Sequence, residues 1–170
     1  LAARVTPRVV KRQAALLKPA AGPGPSGTRN TLLQRLAHHP QGLAALAAWA
    51  QPWASNAVAA WCSAMWTSAL CRPFYKANVQ DVRPILCAEA LLKFAVSCTI
   101  NLSRGQLLSA VGPRQFGAGR AGGAQLEVAD VRAEVEVDPD AAFATMDGRN
   151  AFGAVQWADA LRATRRKAPR

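Results

Sequence analysis

The sequence predicts an α+β protein in which helices outnumber strands, and three observations support that class. Several long stretches carry apolar residues at helical spacing, interrupted by proline and glycine. Two Arg-Pro pairs, at 72–73 and 83–84, favour extended backbone, because a proline ring disfavours a helical conformation in the residue before it. An apolar run at 141–145 is typical of a buried strand. At 170 residues the chain is long enough to bury a core.

The first 28 residues are expected to form a basic helix and a linker. Residues 1 to 19 have the pattern of a basic amphipathic helix, and residues 20 to 28 are a Gly/Pro/Ser stretch that no regular element would tolerate. Thr31 is then expected to cap a helix that runs to about His38. Gln34 lies three residues after Thr31 and completes a capping-box pattern.

Residues 40 to 70 are expected to form two apolar helices. The tripeptide at 40–42 breaks the preceding helix, a second helix runs through Trp49, and a third follows Pro52 and ends near Leu70. No formally charged residue occurs from His38 to Cys71. Prolines and polar residues divide this stretch, and neither half reaches the roughly 20 residues that span a bilayer. We therefore expect no membrane span, and tryptophans that pack the helices together.

The Arg-Pro pairs predict a hairpin near 69–86 with a turn at 76–78. A longer helix follows Pro84, with apolar residues on one face at positions 88, 91, 95, 98 and 102. After the apolar run at 141–145, Gly148 and Asn150 end the predicted strand, so that Asp147 lies at its carboxyl end. A final helix over 150–166 ends in arginines, which suit the negative end of the helix dipole.

Five short motifs occur in a fixed order along the chain. They are GPGPSG at 22–27, ALCRP at 69–73, VRPI at 82–85, QFG at 115–117 and DGRNAF at 147–152. In this order the series resembles the amino-terminal half of a reverse transcriptase of the non-long-terminal-repeat retrotransposon type, over about residues 20 to 160. The resemblance implies a helix-rich fingers region over 29–140, after the helix and linker of 1–28, and the start of a palm over 141–170.

The resemblance also implies roles for residues at the predicted strand end. Polymerases of this kind use two divalent ions that clamp the attacking and leaving oxygens. Asp147 resembles the first metal-binding carboxylate, the backbone carbonyl of Gly148 is an expected further ligand, and oxygen ligands suit Mg²⁺. Phe152 matches the aromatic residue beneath the incoming sugar, which leaves no room for a 2′-hydroxyl. Taken alone, Asp147 is more typical of a surface or capping aspartate, and the alternative for Phe152 is a core residue on a helix face.

Arg72 and Arg83 are the expected clamps for the triphosphate of the incoming dNTP, because a guanidinium group offers a planar donor fork that matches phosphate oxygens. The alternative is two ordinary surface arginines, and the family more often has lysine where this chain has Arg72. Gln115 and Gly117 are placed by the resemblance near the template path.

A complete reverse transcriptase needs a second carboxylate pair, usually Asp-Asp, on a later hairpin, and no Asp-Asp pair occurs in this sequence. We therefore expect a fragment or a decayed copy that is inactive by itself. Two departures from the family pattern favour decay. Gly153 replaces an acidic residue that often follows Ala-Phe, and Arg72 replaces lysine.

The charge of the chain predicts a polyanionic partner. The net charge is +11, the isoelectric point is near 10.8, and residues 1 to 80 contain no Asp or Glu. Nucleic acid fits best, because its phosphates reward distributed Lys and Arg. The resemblance specifies RNA template, DNA primer and dNTP as partners. The alternative is a non-catalytic basic helical protein that binds nucleic acid. Glu127, Asp130 and Glu134 form one helical stripe, which we expect to face solvent.

Two other kinds of site fit the sequence less well, and a dinucleotide-binding fragment is the weaker third alternative. The glycines at 117, 119 and 122 fit a dinucleotide-binding turn, but Gly112 and Pro113 break the strand that must precede such a turn. The four cysteines, at 62, 71, 87 and 98, lack the paired spacing of a zinc site. We expect reduced, mostly buried thiols. The amino terminus has no signal pattern, and we expect an intracellular protein of the nucleus or cytoplasm.

Overall fold

The computed structural model describes residues 4–75, 82–117, 120–146 and 155–167, which divide into two compact units, Leu1–Leu102 and Ser103–Arg170. Helices and a small sheet together confirm the α+β class. The elements are α1 (Pro7–Leu16), α2 (Asn30–Leu36), α3 (Pro40–Ala54), α4 (Ala60–Trp66), β1 (Ala69–Tyr75), β2 (Val82–Ala88), α5 (Ala90–Val111), α6 (Gly123–Val137) and α7 (Trp157–Lys167). The division into segments 1–28, 29–140 and 141–170 stays a prediction.

Helix α1 is shorter than the sequence pattern predicts because its start is fixed by two residues. The Thr6 hydroxyl accepts a hydrogen bond from the backbone N–H of Val9 at 3.4 Å, and Pro7 occupies the first turn, where its missing N–H costs nothing. Val10 and Ala14 are buried on the inward face, one turn apart. The basic residues of the helix therefore lie on the outer face.

The capping box predicted for α2 is wrong. The helix begins at Asn30, so Thr31 lies inside its first turn, and no side chain caps it. The Asn30 side chain donates to the carbonyl of Lys18 at 2.8 Å, and the Gln34 amide donates to the carbonyl of Leu17 at 2.9 Å. Both side chains therefore provide donors for backbone carbonyls just after α1, and neither of them caps the start of α2.

Helix α3 corrects two expectations about proline. Pro40 starts the helix, because a first-turn proline loses no helical hydrogen bond. Pro52 lies inside the last turn, although a proline there was expected to end the helix. Packing explains the continuation: the Trp49 ring lies 6.2 Å from that of Trp53 and 4.6 Å from that of Trp66. The contact between Trp49 and Trp66 joins two helices, and such tertiary packing outweighs the local preference of one proline.

Helix α4 is short and contains no fully buried residue. It ends at Trp66, and the Thr67 hydroxyl donates to the carbonyl of Ser63 at 2.9 Å, which satisfies one of the free carbonyls at that end. The sequence pattern predicted a helix to about Leu70, but β1 begins at Ala69. None of the described helices is long and apolar enough to cross a membrane.

The core of the first unit forms where α5 meets the amino-terminal helices. Phe94, Ala95 and Cys98 of α5 are fully buried, and Leu91 and Leu102 pack partly buried against the core, so the predicted apolar face is present. Ala88 of that predicted face lies in β2. The other members come from α1, α2 and α3 and include Val10, Ala14, Leu33, Leu46 and Ala50.

Within the second unit, α6 ends at an aspartate turn. The Asp138 side chain accepts from the N–H of Asp140 at 3.2 Å, and its carbonyl accepts from the N–H of Ala141 at 3.1 Å. Residues 141–146 then form neither helix nor strand, so the predicted strand at 141–145 is not present. A strand needs a paired neighbour, and no described residue pairs with this run.

Helix α7 begins at Trp157, and the predicted helix start at position 150 lies outside the described residues. Val155 and Gln156 are not helical, and the carbonyl of Gln156 accepts from the N–H groups of Asp159 and Ala160 at 3.0 and 3.1 Å. Gln156 therefore precedes the first helical turn. The last turn carries the predicted basic residues, Arg165, Arg166 and Lys167.

Candidate functional site on the hairpin

The candidate site is built on β1 and β2, which pair antiparallel where the sequence predicts a hairpin. The register places Arg72 opposite Ile85 and Phe74 opposite Arg83. Pro73 lies directly opposite Pro84 between these two pairs. Two prolines tolerate this position only if the pair exchanges no N–H···O bonds, because neither residue has an N–H to donate.

The register brings the two predicted clamp residues to one face. Side chains alternate between the faces of a strand, so Arg72 and Phe74 share a face, and Arg83 shares it as the direct partner of Phe74. Arg72 and Arg83 are diagonal neighbours, a relation that places Cα atoms roughly 7–8 Å apart. We call the face that carries Arg72, Phe74 and Arg83 the arginine face.

The arginine face is open to solvent and electrostatically one-sided. Both arginines are exposed, and Phe74 is 55% exposed. No carboxylate among the described residues forms an ion pair with Arg72 or Arg83. The opposite face carries no charged residue within β1 and β2. Within the two described strands, both positive charges therefore lie on the same face.

A loop from the Gly/Pro/Ser stretch fixes the base of the hairpin. Glu89, between β2 and α5, is 3% exposed, and its carboxylate accepts from the N–H of Ser26 at 2.5 Å and from the Ser26 hydroxyl at 2.6 Å. Gly24 lies so close that a Cβ there would come within 2.7 Å of the Glu89 backbone. The positive end of α5 also favours a carboxylate at this position.

Cationic side chains form a second exposed surface on α1. Arg8, Lys11 and Arg12 are exposed, whereas Gln13 and Ala14 are buried. The positions repeat at helical spacing, so the three charges lie on the outward side of the helix. This surface can attract phosphates without selecting a base.

Gln115 and Gly117 belong to the second unit and lie in one turn. The Gln115 side-chain oxygen accepts from the N–H of Gly117 at 2.8 Å. The guanidinium of Arg120 lies 5.5 Å from the centre of the Phe116 ring, within the range of a cation–π contact. The element that precedes this glycine-rich stretch is helix α5, which ends at Val111. A dinucleotide-binding turn requires a strand at this position.

The acidic stripe of α6 is partly covered by an arginine from the same unit. Arg114 forms ion pairs with Asp130, at 3.7 Å, and with Glu134. Glu127 is exposed, as the sequence predicts for the whole stripe, but Asp130 and Glu134 are half-buried under the arginine. Two of the three acids of the stripe therefore pair with an arginine of the same unit.

Asp147, Gly148 and Phe152 lie outside the described residues, so their predicted roles in metal and sugar binding stay predictions. Within the described ranges, no group of three or more His, Cys, Asp or Glu side chains lies close enough to hold a metal ion.

The thiols differ from the sequence expectation in their exposure. Cys98 is fully buried, but Cys62 and Cys87 are half-buried and Cys71 is exposed. All four are free thiols. Burial raises the pKa of the Cys98 thiol from 9.0 to about 11, because the thiolate would lose its solvation. Cys98 is therefore a packing residue.

Two residues of this region escaped the sequence analysis. Phe74 was visible as an aromatic two positions after Arg72, but its place on the arginine face depends on the strand register. Glu89 precedes Lys93 by four residues, the spacing of a helix-stabilising pair, but its carboxylate pairs with Ser26, 63 positions away. Only the fold reveals a contact of that sequence separation.

Comparisons with protein-family models, with curated proteins and with solved structures found no match to this chain.

Proposed function

We propose that the chain is the fingers-like region and the start of the palm of a retroelement RNA-directed DNA polymerase. The observation that carries the proposal is the placement of Arg72 and Arg83 as exposed diagonal neighbours on one face of the hairpin. Two guanidinium forks that point the same way suit a polyphosphate, which offers several oxygens along a short chain. The order of the five sequence motifs supports the same assignment.

The proposed chemistry is in-line displacement at phosphorus, in which the protein mainly positions and neutralises charge. Arg72 and Arg83 bind the triphosphate of the incoming nucleotide. Asp147 and the carbonyl of Gly148 would hold Mg²⁺, which would stabilise charge on the phosphate oxygens. Phe152 would exclude a ribose 2′-hydroxyl, and Gln115 and Gly117 would lie along the template, with RNA as template and DNA as primer.

One carboxylate cannot hold two metal ions in the geometry that this chemistry needs. Because the 170 residues contain no Asp-Asp pair, we propose that this polypeptide binds nucleotide and nucleic acid but does not polymerise by itself.

The test is equilibrium binding of dATP and dAMP by isothermal titration calorimetry in the presence of Mg²⁺. We expect dATP to bind more tightly, because only the triphosphate spans both arginines. Arg83→Gln should weaken dATP binding about tenfold or more, since a hydrogen bond to a charged group contributes about 1.5–3 kcal/mol. Arg83→Lys should restore it only in part, because lysine keeps the charge but not the fork.

Arg35→Gln provides the matched control, because it removes the same charge from an exposed site on α2. Equal binding of dATP and dAMP, or an equal loss in the Arg35 variant, would contradict a triphosphate clamp and leave only general attraction of anions.

The second candidate is a non-catalytic protein that binds nucleic acid, and the exposed Arg8, Lys11 and Arg12 of α1 favour it. It predicts that nucleic-acid affinity falls steeply with salt and depends on α1 rather than on the hairpin. Charge-neutralising substitutions of these three residues therefore separate the two candidates.

A further inference from the structure

We propose that the arginine face binds a single-stranded nucleic acid by stacking one unpaired base on the ring of Phe74. The inference deepens the proposed function by naming a partner for this face, and it rests on that proposal only for the role of the two arginines as phosphate ligands.

The position of Phe74 is the first argument. Phe74 is 55% exposed at a strand position directly opposite Arg83, and it lies two residues from Arg72 on the same face. An aromatic ring that serves the core would be buried, as Phe94 is. An exposed ring between two phosphate-binding side chains has the arrangement of a base-stacking platform, since each nucleotide offers a flat base and a charged phosphate.

Charge identifies the partner as nucleic acid rather than another protein surface. Arg72 and Arg83 are the charged residues of β1 and β2, and both lie on the face of Phe74. The opposite face also exposes an aromatic ring, Tyr75 at 73%, but carries no charge within the two strands. Phe74 and Tyr75 are therefore two exposed aromatic residues of one hairpin, and only Phe74 has arginines beside it on its face.

A duplex does not fit this chemistry, because its bases are paired and stacked inside the helix. The faces of unpaired bases are free, and they stack on aromatic rings with little sequence preference. We therefore assign single strands as the ligand, with the base on Phe74 and the flanking phosphates on the arginines.

The experiment measures fluorescence anisotropy of the full chain with two labelled 12-nucleotide DNA single strands, one with normal bases and one abasic at every position. Both carry the same phosphates. We expect the base-containing strand to bind about 5-fold to 100-fold more tightly, the range that one stacked base supplies. Phe74→Leu should remove this difference without weakening the abasic complex, and Phe74→Trp should keep it.

Tyr75→Leu is the matched control, and it should leave the difference unchanged. Equal binding of both strands by the wild type would overturn the inference, as would a Phe74→Leu variant that weakens both strands equally or no more than Tyr75→Leu does. Circular dichroism of each variant reports whether it is folded. If Arg83→Gln spares dATP binding while Phe74→Leu abolishes the base preference, the triphosphate clamp fails and the stacking site stands.

Discussion

The carboxylate of Glu89 accepts two hydrogen bonds from Ser26, one from the backbone N–H at 2.5 Å and one from the hydroxyl at 2.6 Å. This contact joins the Gly/Pro/Ser stretch to the residue that links β2 to α5. The two hydrogen bonds compensate the buried carboxylate for the solvation that it loses. The loop therefore determines how the base of the arginine-bearing hairpin is held.

Removal of the Glu89 carboxylate should destabilise the first unit. We expect Glu89→Ala to lower the free energy of unfolding by about 2 kcal/mol and Ser26→Ala by about 1 kcal/mol, because the backbone N–H bond survives in the serine variant. Urea titration followed by tryptophan fluorescence measures both values. Four of the five tryptophans, at 49, 53, 61 and 66, lie in this unit.

The double variant should lose less than the sum of the two single losses, because the partners share a contact. Ser68→Ala, at an exposed site before β1, is the control and should change the free energy of unfolding by less than about 0.5 kcal/mol. Additive losses would show that Ser26 and Glu89 stabilise the unit independently.

Two glycines of the same loop should respond differently to alanine. A Cβ at Gly24 would lie 2.7 Å from the backbone N and Cα of Glu89, so that Gly24→Ala forces the loop away and should cost about 1–3 kcal/mol. A Cβ at Gly22 would lie 3.6 Å from the sulfur of Cys87, an ordinary contact, and Gly22→Ala should be close to neutral. Thermal unfolding of both variants measures the contrast, and equal melting temperatures would contradict the close approach.

The thiols should react at different rates with a thiol reagent such as Ellman's reagent at pH 8. Cys71 is exposed and should react first, so Cys71→Ser should remove the fastest phase. Cys98 should react only after unfolding, because it is buried and its pKa is raised to about 11. Rapid modification of all four thiols in the folded protein would contradict this order.

The raised pKa of Cys98 also predicts a pH dependence of stability. The Cys98 thiol ionises more readily in the unfolded chain, where its pKa is near 9.0, than in the folded chain, where burial raises the pKa to about 11. The Cys98 contribution is therefore complete below pH 9 and is lost as the pH rises towards 11. Cys98→Ala should lose less stability than the wild type over this interval, which urea titrations at several pH values can measure.

Local signals predicted the hairpin and the inward face of α5, because proline geometry and helical spacing act over a few residues. The start of α2 and the passage of α3 through Pro52 could not be predicted in the same way. Asn30 and Gln34 bond to the end of α1, and Trp49 packs against Trp66 of another helix. Such contacts depend on the assembled fold, and they outweigh local capping and proline preferences.

The candidate site also has features that the local sequence predicts and features that only the assembled fold determines. The residue types at 72 and 83 indicated phosphate binding, but the sequence could not show that both side chains share a face, because a shift of register by one residue would separate them. The apolar run at 141–145 misled the prediction of a strand, since periodicity cannot supply the partner that a strand needs.

The opposed prolines Pro73 and Pro84 limit the growth of the sheet at both edges of the hairpin. Each proline leaves the outer edge of its strand without an N–H donor at the same level of the hairpin. A further strand, from this chain or another copy, therefore cannot continue an unbroken ladder past that level on either side. The hairpin can expose Leu86, at 69%, and Phe74 to solvent with less risk of growing into an intermolecular sheet, so its faces stay accessible while its edges resist aggregation.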